Sequence, residues 1–146
     1  MITYIATDPG LMSGMAWYSA GKFYCTEVPY EKAGRFLEET IHTYLAEGDV
    51  VLICEKFFYT AATMKKSRGD WSMKLIGFIE QMGFKYDCPV FMQSPAEAKN
   101  LMTDSRLKVL GWFNASKGGH QNDAARHLAR HLLKEKVLDG RNLVQA

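Results

Sequence analysis

Ile2-Thr3-Tyr4-Ile5-Ala6-Thr7-Asp8-Pro9-Gly10 opens the chain, and Val50-Val51-Leu52-Ile53-Cys54-Glu55 repeats its design further on: an apolar run closed by a carboxylate. The first reads as a strand over 2–7, ended by the Asp-Pro-Gly turn signal. The second is apolar throughout rather than alternating, the pattern of a strand buried on both faces. A carboxylate at the end of a buried strand is costly unless a cation or hydrogen bonds compensate it. Whether Asp8 and Glu55 share one edge depends on what lies between them.

Two further strands follow the first. Gly14 to Tyr18 and Lys22 to Val28 flank Ala20-Gly21, which suits a tight hairpin, so the first three strands form an antiparallel meander that Pro29 stops. A helical pattern then runs roughly from Glu31 to Glu47, with Phe36, Leu37, Ile41, Tyr44 and Leu45 at helical spacing and Gly48 as its stop. A strand reached through a helix is most readily parallel to an earlier one. Strand 50–54 beside strand 2–7 then puts Asp8 and Glu55 at the same carboxyl end, where open α/β sheets bind ligands.

Downstream, residues 60–83 form a basic, glycine-interrupted lead into an amphipathic helix, with Trp71, Leu75, Ile76, Phe78, Ile79 and Met82 as its core positions. Val90-Phe91-Met92 makes a short strand. Ser94-Pro95-Ala96-Glu97 joins a cap, a first-turn proline and a Glu three residues on, a helix start. Residues 104–119 carry no clear pattern, and Lys117-Gly118-Gly119 reads as a flexible loop. The last helix begins near His120 and Asp123, with Ala125, Leu128, Ala129, Leu132 and Leu133 on one stripe. The order β-β-β-α-β-α-β-α(-α) is an α/β arrangement of the ribonuclease-H-like kind. It predicts a five-stranded mixed sheet, three antiparallel strands then parallel ones, flanked by helices in a single domain over 1–146.

At 47% hydrophobic and 23% charged residues the chain is ordinary globular protein, not disordered. Three cysteines form no Cys-x-x-Cys pair and leave an odd thiol under any pairing, which favours reduced thiols and offers no zinc site. With no signal-peptide pattern and no membrane span, the expected location is the cytoplasm, that of the host if the gene is carried by a phage. The net charge of +2 conceals a split. Residues 1–55 hold three basic against eight acidic side chains, and residues 56–146 hold fifteen against eight. The second part therefore offers a basic face to a polyanion.

Taken singly, the candidate site residues have ordinary readings. Asp8 fits a turn, Glu55 a solvated strand end, Asp123 the positive end of a helix dipole and His120 a loop. Together they differ. Two strand-end carboxylates and a helix carrying His120 and Asp123 supply the hard ligands that two-metal phosphodiester cleavage needs. Ideal helix geometry leaves Asp123 several tens of degrees off the apolar stripe, roughly 100° being turned per residue, so it must reach the sheet from the first turn. Lys65, Lys66 and Arg68, near Trp71 and downstream of Phe57, Phe58 and Tyr59, interleave cations with rings, as nucleic-acid contacts do. Arg126, Arg130 and Lys134 read as solvated charges.

These motifs resemble a RuvC-type Holliday junction resolvase of the small phage kind, over most of the chain. The resemblance rests on Asp8-Pro9-Gly10 with Gly14, on Glu55 ending the fourth strand, and on His120-x-x-Asp123-Ala124 opening the last helix. The step from Gly10 to Gly14 is one residue shorter than in the cellular form. The resemblance implies two Mg²⁺ or Mn²⁺ ions held by Asp8, Glu55, His120 and Asp123. It also implies Phe58 stacking near the junction, Lys99 facing phosphates, and a two-fold homodimer centred on the 60–83 region. The expected activity is a structure-selective endonuclease that resolves four-way and other branched DNA by paired nicks, leaving 5′-phosphates. Two alternatives remain open: a ribonuclease-H-fold enzyme acting on RNA, similar to the YqgF branch, and a branched-DNA-binding module without catalysis.

Overall fold

The computed structural model describes residues 1–58, 60–61, 69–115 and 118–146. Five strands, β1 (Ile2–Asp8), β2 (Met12–Ser19), β3 (Lys22–Pro29), β4 (Asp49–Glu55) and β5 (Val90–Gln93), form one sheet in the order β3-β2-β1-β4-β5. The first three pair antiparallel, while β1 with β4 and β4 with β5 pair parallel, as the strand order predicts. The hairpin between β2 and β3 turns on Ala20 and Gly21, both at positive φ (49° and 77°), the two-residue geometry whose twist matches the flanking strands.

Successive side chains of a strand point to opposite faces, and each face has its own core. Ile5, Met15, Leu52 and Cys54 pack against α1 (Tyr30–Leu45) and α2 (Gly69–Tyr86) through Leu37, Ile41, Leu75 and Ile79. Tyr4, Ala6, Ala16 and Ile53 pack on the other face, against α5 (His120–Lys134) through Ala124, Ala125, Leu128, Ala129 and Leu132. Small residues dominate that second contact, so α5 lies close against the sheet. Trp71 departs from its sequence reading as core. It is 39% exposed and meets Tyr30 edge-on, with ring centroids 4.6 Å apart.

The stretch without a pattern contains a helix. After α3 (Pro95–Leu101), capped by Ser94 as its sequence implies, α4 spans Asp104–Leu110. The Thr103 hydroxyl accepts from Arg106 N at 3.3 Å, and Gly111 (φ 74°) ends the helix in the left-handed conformation. A 3-10 turn over Arg141–Leu143 follows α5. Cys25, Cys54 and Cys88 are free thiols. No helix among the described residues is long and apolar enough to cross a membrane.

Candidate active site

Register and alternation assemble the site before any side-chain contact is considered. Thr7 pairs with Cys54, which puts Asp8 and Glu55 on the next rung of the β1–β4 ladder. Asp8 pairs with Gly14, Gly14 with Glu27, and Glu55 with Gln93. Gln93, Glu55, Asp8, Gly14 and Glu27 thus form one row at the carboxyl edges of β1, β4 and β5. They lie on the same face as Ala6, Ala16 and Ile53, the face that α5 covers.

The helix arrives at this row because Gly14 has no side chain. A Cβ there would sit 1.8 Å from the carbonyl oxygen of His120. Gly118 and Gly119, both at positive φ (96° and 69°), turn the chain into α5, which has no side-chain cap of its own. The cap comes from β3: Glu27 Oε1 accepts from His120 N at 3.1 Å and from Gln121 N at 3.4 Å. A carboxylate at that position satisfies two helix-end donors and meets the positive end of the dipole. Glu27 has no place in the sequence reading, because its role depends on the β2–β3 register and on the fold of a distant helix.

Asp8 is the stressed member of the row. Burial pushes its carboxyl up to about 6, the charges of Glu55 and Asp123 add to the shift, and His120 opposes it. His120 Nδ1 lies 3.7 Å from Asp8 Oδ2, an ion-pair distance, and its imidazole pKa is raised, chiefly by facing Asp8. Asp8 is only 13% exposed at the side chain, whereas His120 is 41% exposed. Asp8 therefore feels the charges of the other three candidate residues.

Glu55 and Asp123 each turn to a partner of their own. His127, 1% exposed, donates from Nε2 to Glu55 Oε2 at 2.6 Å, and its Nδ1 lies 3.0 Å from Gln93 Oε1. Asp123 Oδ1 accepts from Arg126 at 2.7 Å. Arg126 also pairs with Asp104 and donates from Nε to the Met102 carbonyl at 2.9 Å. Arg126 is therefore no solvated charge: its side chain is 13% exposed and ties the first turn of α5 to the start of α4. Of the other two cations, Arg130 lies 3.4 Å from Glu97, and Lys134 is exposed. Among the described residues, no three His, Cys, Asp or Glu side chains already converge as a bound metal requires.

The donor chemistry nonetheless fits a hard divalent cation. Asp8 is a buried carboxylate near two further carboxylates, held above its ordinary range chiefly by burial, with Glu55 and Asp123 adding to the shift. A cation there would replace burial and repulsion with attraction. Of the expected DNA contacts, Phe58 is 60% exposed three residues beyond Glu55, and Lys99 is exposed on α3. Phe57 instead packs partly against the core. Lys65, Lys66 and Arg68, with Tyr59 and Lys117, lie outside the described residues.

No protein-family model matches this sequence, and no curated protein matches it. Its fold is similar to that of T. thermophilus RuvC in complex with a Holliday junction substrate. That likeness has a TM-score of 0.69 at 16% identity and covers 94% of this chain and 96% of that one. It is also similar to fowlpox virus resolvase in complex with substrate Holliday junction DNA, with a TM-score of 0.55 at 15% identity over 94% and 99% of the two chains. The chain has a ribonuclease-H-like fold. Within that class its fold is similar to that of RuvC.

Proposed function

We propose that this chain is a metal-dependent endonuclease that resolves Holliday junctions and other branched DNA by paired nicks, leaving 5′-phosphates. One observation carries the reading: Asp8 and Glu55 stand on one rung at the carboxyl edge of the sheet, and the first turn of α5, with His120 3.7 Å from Asp8, meets them there. Three carboxylates near one another on a RuvC-like fold support the reading of a cation site. Two Mg²⁺ or Mn²⁺ ions held by Asp8, Glu55, Asp123 and His120 would supply the Lewis acidity that activates water and stabilises the leaving oxygen in phosphodiester hydrolysis.

The chain's own residues do the rest. β1 and β4 fix Asp8 and Glu55 on one rung, and the first turn of α5 delivers His120 and Asp123 onto the row. Arg126 pairs with Asp123 Oδ1 at 2.7 Å, a contact that a bound cation would compete with. Phe58 offers an exposed ring to bases unstacked at a branch point, and Lys99, with Lys65, Lys66 and Arg68, neutralises phosphates. A two-fold dimer would match a substrate that needs two symmetric cuts.

The substrate class is tested by offering a four-way DNA junction, a fork, plain duplex and a structured RNA in Mg²⁺, each with a chelator control. Metal-dependent cutting of the junction well above duplex and RNA supports the reading. Preferential RNA cleavage makes the chain an RNA-processing nuclease instead, and junction binding without cleavage makes it a binding module.

A further inference from the structure

His127 belongs to none of the expected site residues, yet it touches one of them. It lies on α5 one turn beyond Asp123, is 1% exposed, and bridges two strands. Its Nε2 is 2.6 Å from Glu55 Oε2 on β4, and its Nδ1 is 3.0 Å from the amide of Gln93 on β5. Gln93 is itself 3% exposed and pairs in register with Glu55. Turned by 180°, that amide presents its NH₂ to the ring, so a neutral imidazole is satisfied on both nitrogens while donating to the carboxylate.

We infer that His127 is a positioning residue for Glu55, holding its carboxylate in the one orientation that serves a divalent cation shared with Asp8 and Asp123. This rests on the metal-dependent reading above. The argument is geometric. A hydrogen bond at Oε2 restrains the carboxylate from rotating and would leave Oε1 to a cation. The imidazole also shares α5 with Asp123, so one side chain sets strand β4 and the first turn of the helix at a fixed separation. An apolar residue would fill the same volume on the α5 stripe without the cost of burying a polar ring. Donors placed behind a ligating carboxylate fix its direction and tune its affinity.

The test uses His127→Gln and His127→Met, matched in shape and different in their capacity to donate. Mn²⁺ alone, without DNA, is titrated into the full chain while free Mn²⁺ is followed by electron paramagnetic resonance. His127→Met is expected to weaken Mn²⁺ binding by about 10- to 100-fold. The Mn²⁺ concentration for half-maximal junction cleavage should rise by a similar factor, with junction binding in chelator unchanged. His127→Gln should recover most of the loss. A folded Met variant that binds Mn²⁺ like the wild type overturns the inference, as do Gln and Met variants that lose binding equally. Should the Met variant fail to fold, Gln93→Met replaces it, with a smaller loss in the same direction expected and no loss overturning the idea. If wild-type binding is absent, or indifferent to Asp8→Asn, the metal reading itself fails. If binding depends on Asp8 but not on His127, only the positioning role falls.

Discussion

Asp8 and Glu55 end neighbouring parallel strands, face the same helix and stand on one rung of the sheet, yet the fold treats them oppositely. Glu55 has a dedicated donor, a buried imidazole at 2.6 Å. Asp8 has burial, two like-charged neighbours and a partly exposed histidine 3.7 Å away, and its pKa rises to about 6. The difference separates two settings for a carboxylate at one sheet edge. Glu55 is held by a buried imidazole; Asp8 is held above its ordinary range by burial and by Glu55 and Asp123, with His120 opposing.

The largest expected effect falls on activity. Asp8→Asn, and likewise Asp123→Asn, should lower junction cleavage by more than about 10³-fold, measured under single-turnover conditions with saturating Mg²⁺. Junction binding in a gel-shift experiment should be largely retained. Gly14→Ala probes both carboxylates at once, because the added methyl meets the His120 carbonyl and drives α5 off the row. It should destabilise the fold by about 3 kcal/mol or more in denaturant melts, as overpacking does at a site with no room to relax.

Stability should then part the two strand ends. Because the folded pKa of Asp8 is raised above the unfolded value of about 4, its protonated form is the one the fold prefers. Its contribution to metal-free stability is full below about pH 4 and is lost as pH rises through about 6, an effect of up to about 3 kcal/mol. Asp8→Asn should therefore stabilise the metal-free protein at neutral pH while abolishing cleavage, and that advantage should vanish below about pH 4. Glu55→Ala should do the reverse and cost about 1–3 kcal/mol, since it leaves the buried His127 donor unpaired. Urea melts of both variants across pH check the opposite signs. Two variants that shift stability in the same direction would erase the distinction. The smallest effect is at the surface. Phe58→Ala should leave stability within about 0.5 kcal/mol and weaken junction binding by roughly 10-fold, as loss of one stacked base does.

The strand ends were legible because burial patterns and turn signals are local. An apolar run closed by Asp-Pro-Gly, another closed by Glu55, and a helix between them suffice to put both carboxylates on one edge. The helical side was less legible. Ideal geometry left Asp123 ambiguous, and its place depends on Gly14, whose missing side chain lets α5 descend onto β2. Arg126 read as a solvated charge, and Glu27 had no assigned role, because their partners Asp104 and the α5 amides lie far away in sequence. His127 was hidden inside an apolar stripe, although its place four residues after Asp123 was a signal available to be read. The helix Asp104–Leu110 was missed for another reason: with Thr103 as cap and Gly111 as stop its punctuation is complete, but its body is too short to show periodicity.

The central claim is that the row around Asp8 exists to bind divalent cations and cut branched DNA. The direct measurement is cleavage of a strand-labelled mobile four-way junction by wild type and Asp8→Asn side by side, in Mg²⁺ and in excess chelator. Paired nicks in strands of like polarity, with 5′-phosphate ends, seen only for wild type with metal, are the expected result. Equal cleavage by Asp8→Asn, or undiminished cleavage in chelator, would contradict it.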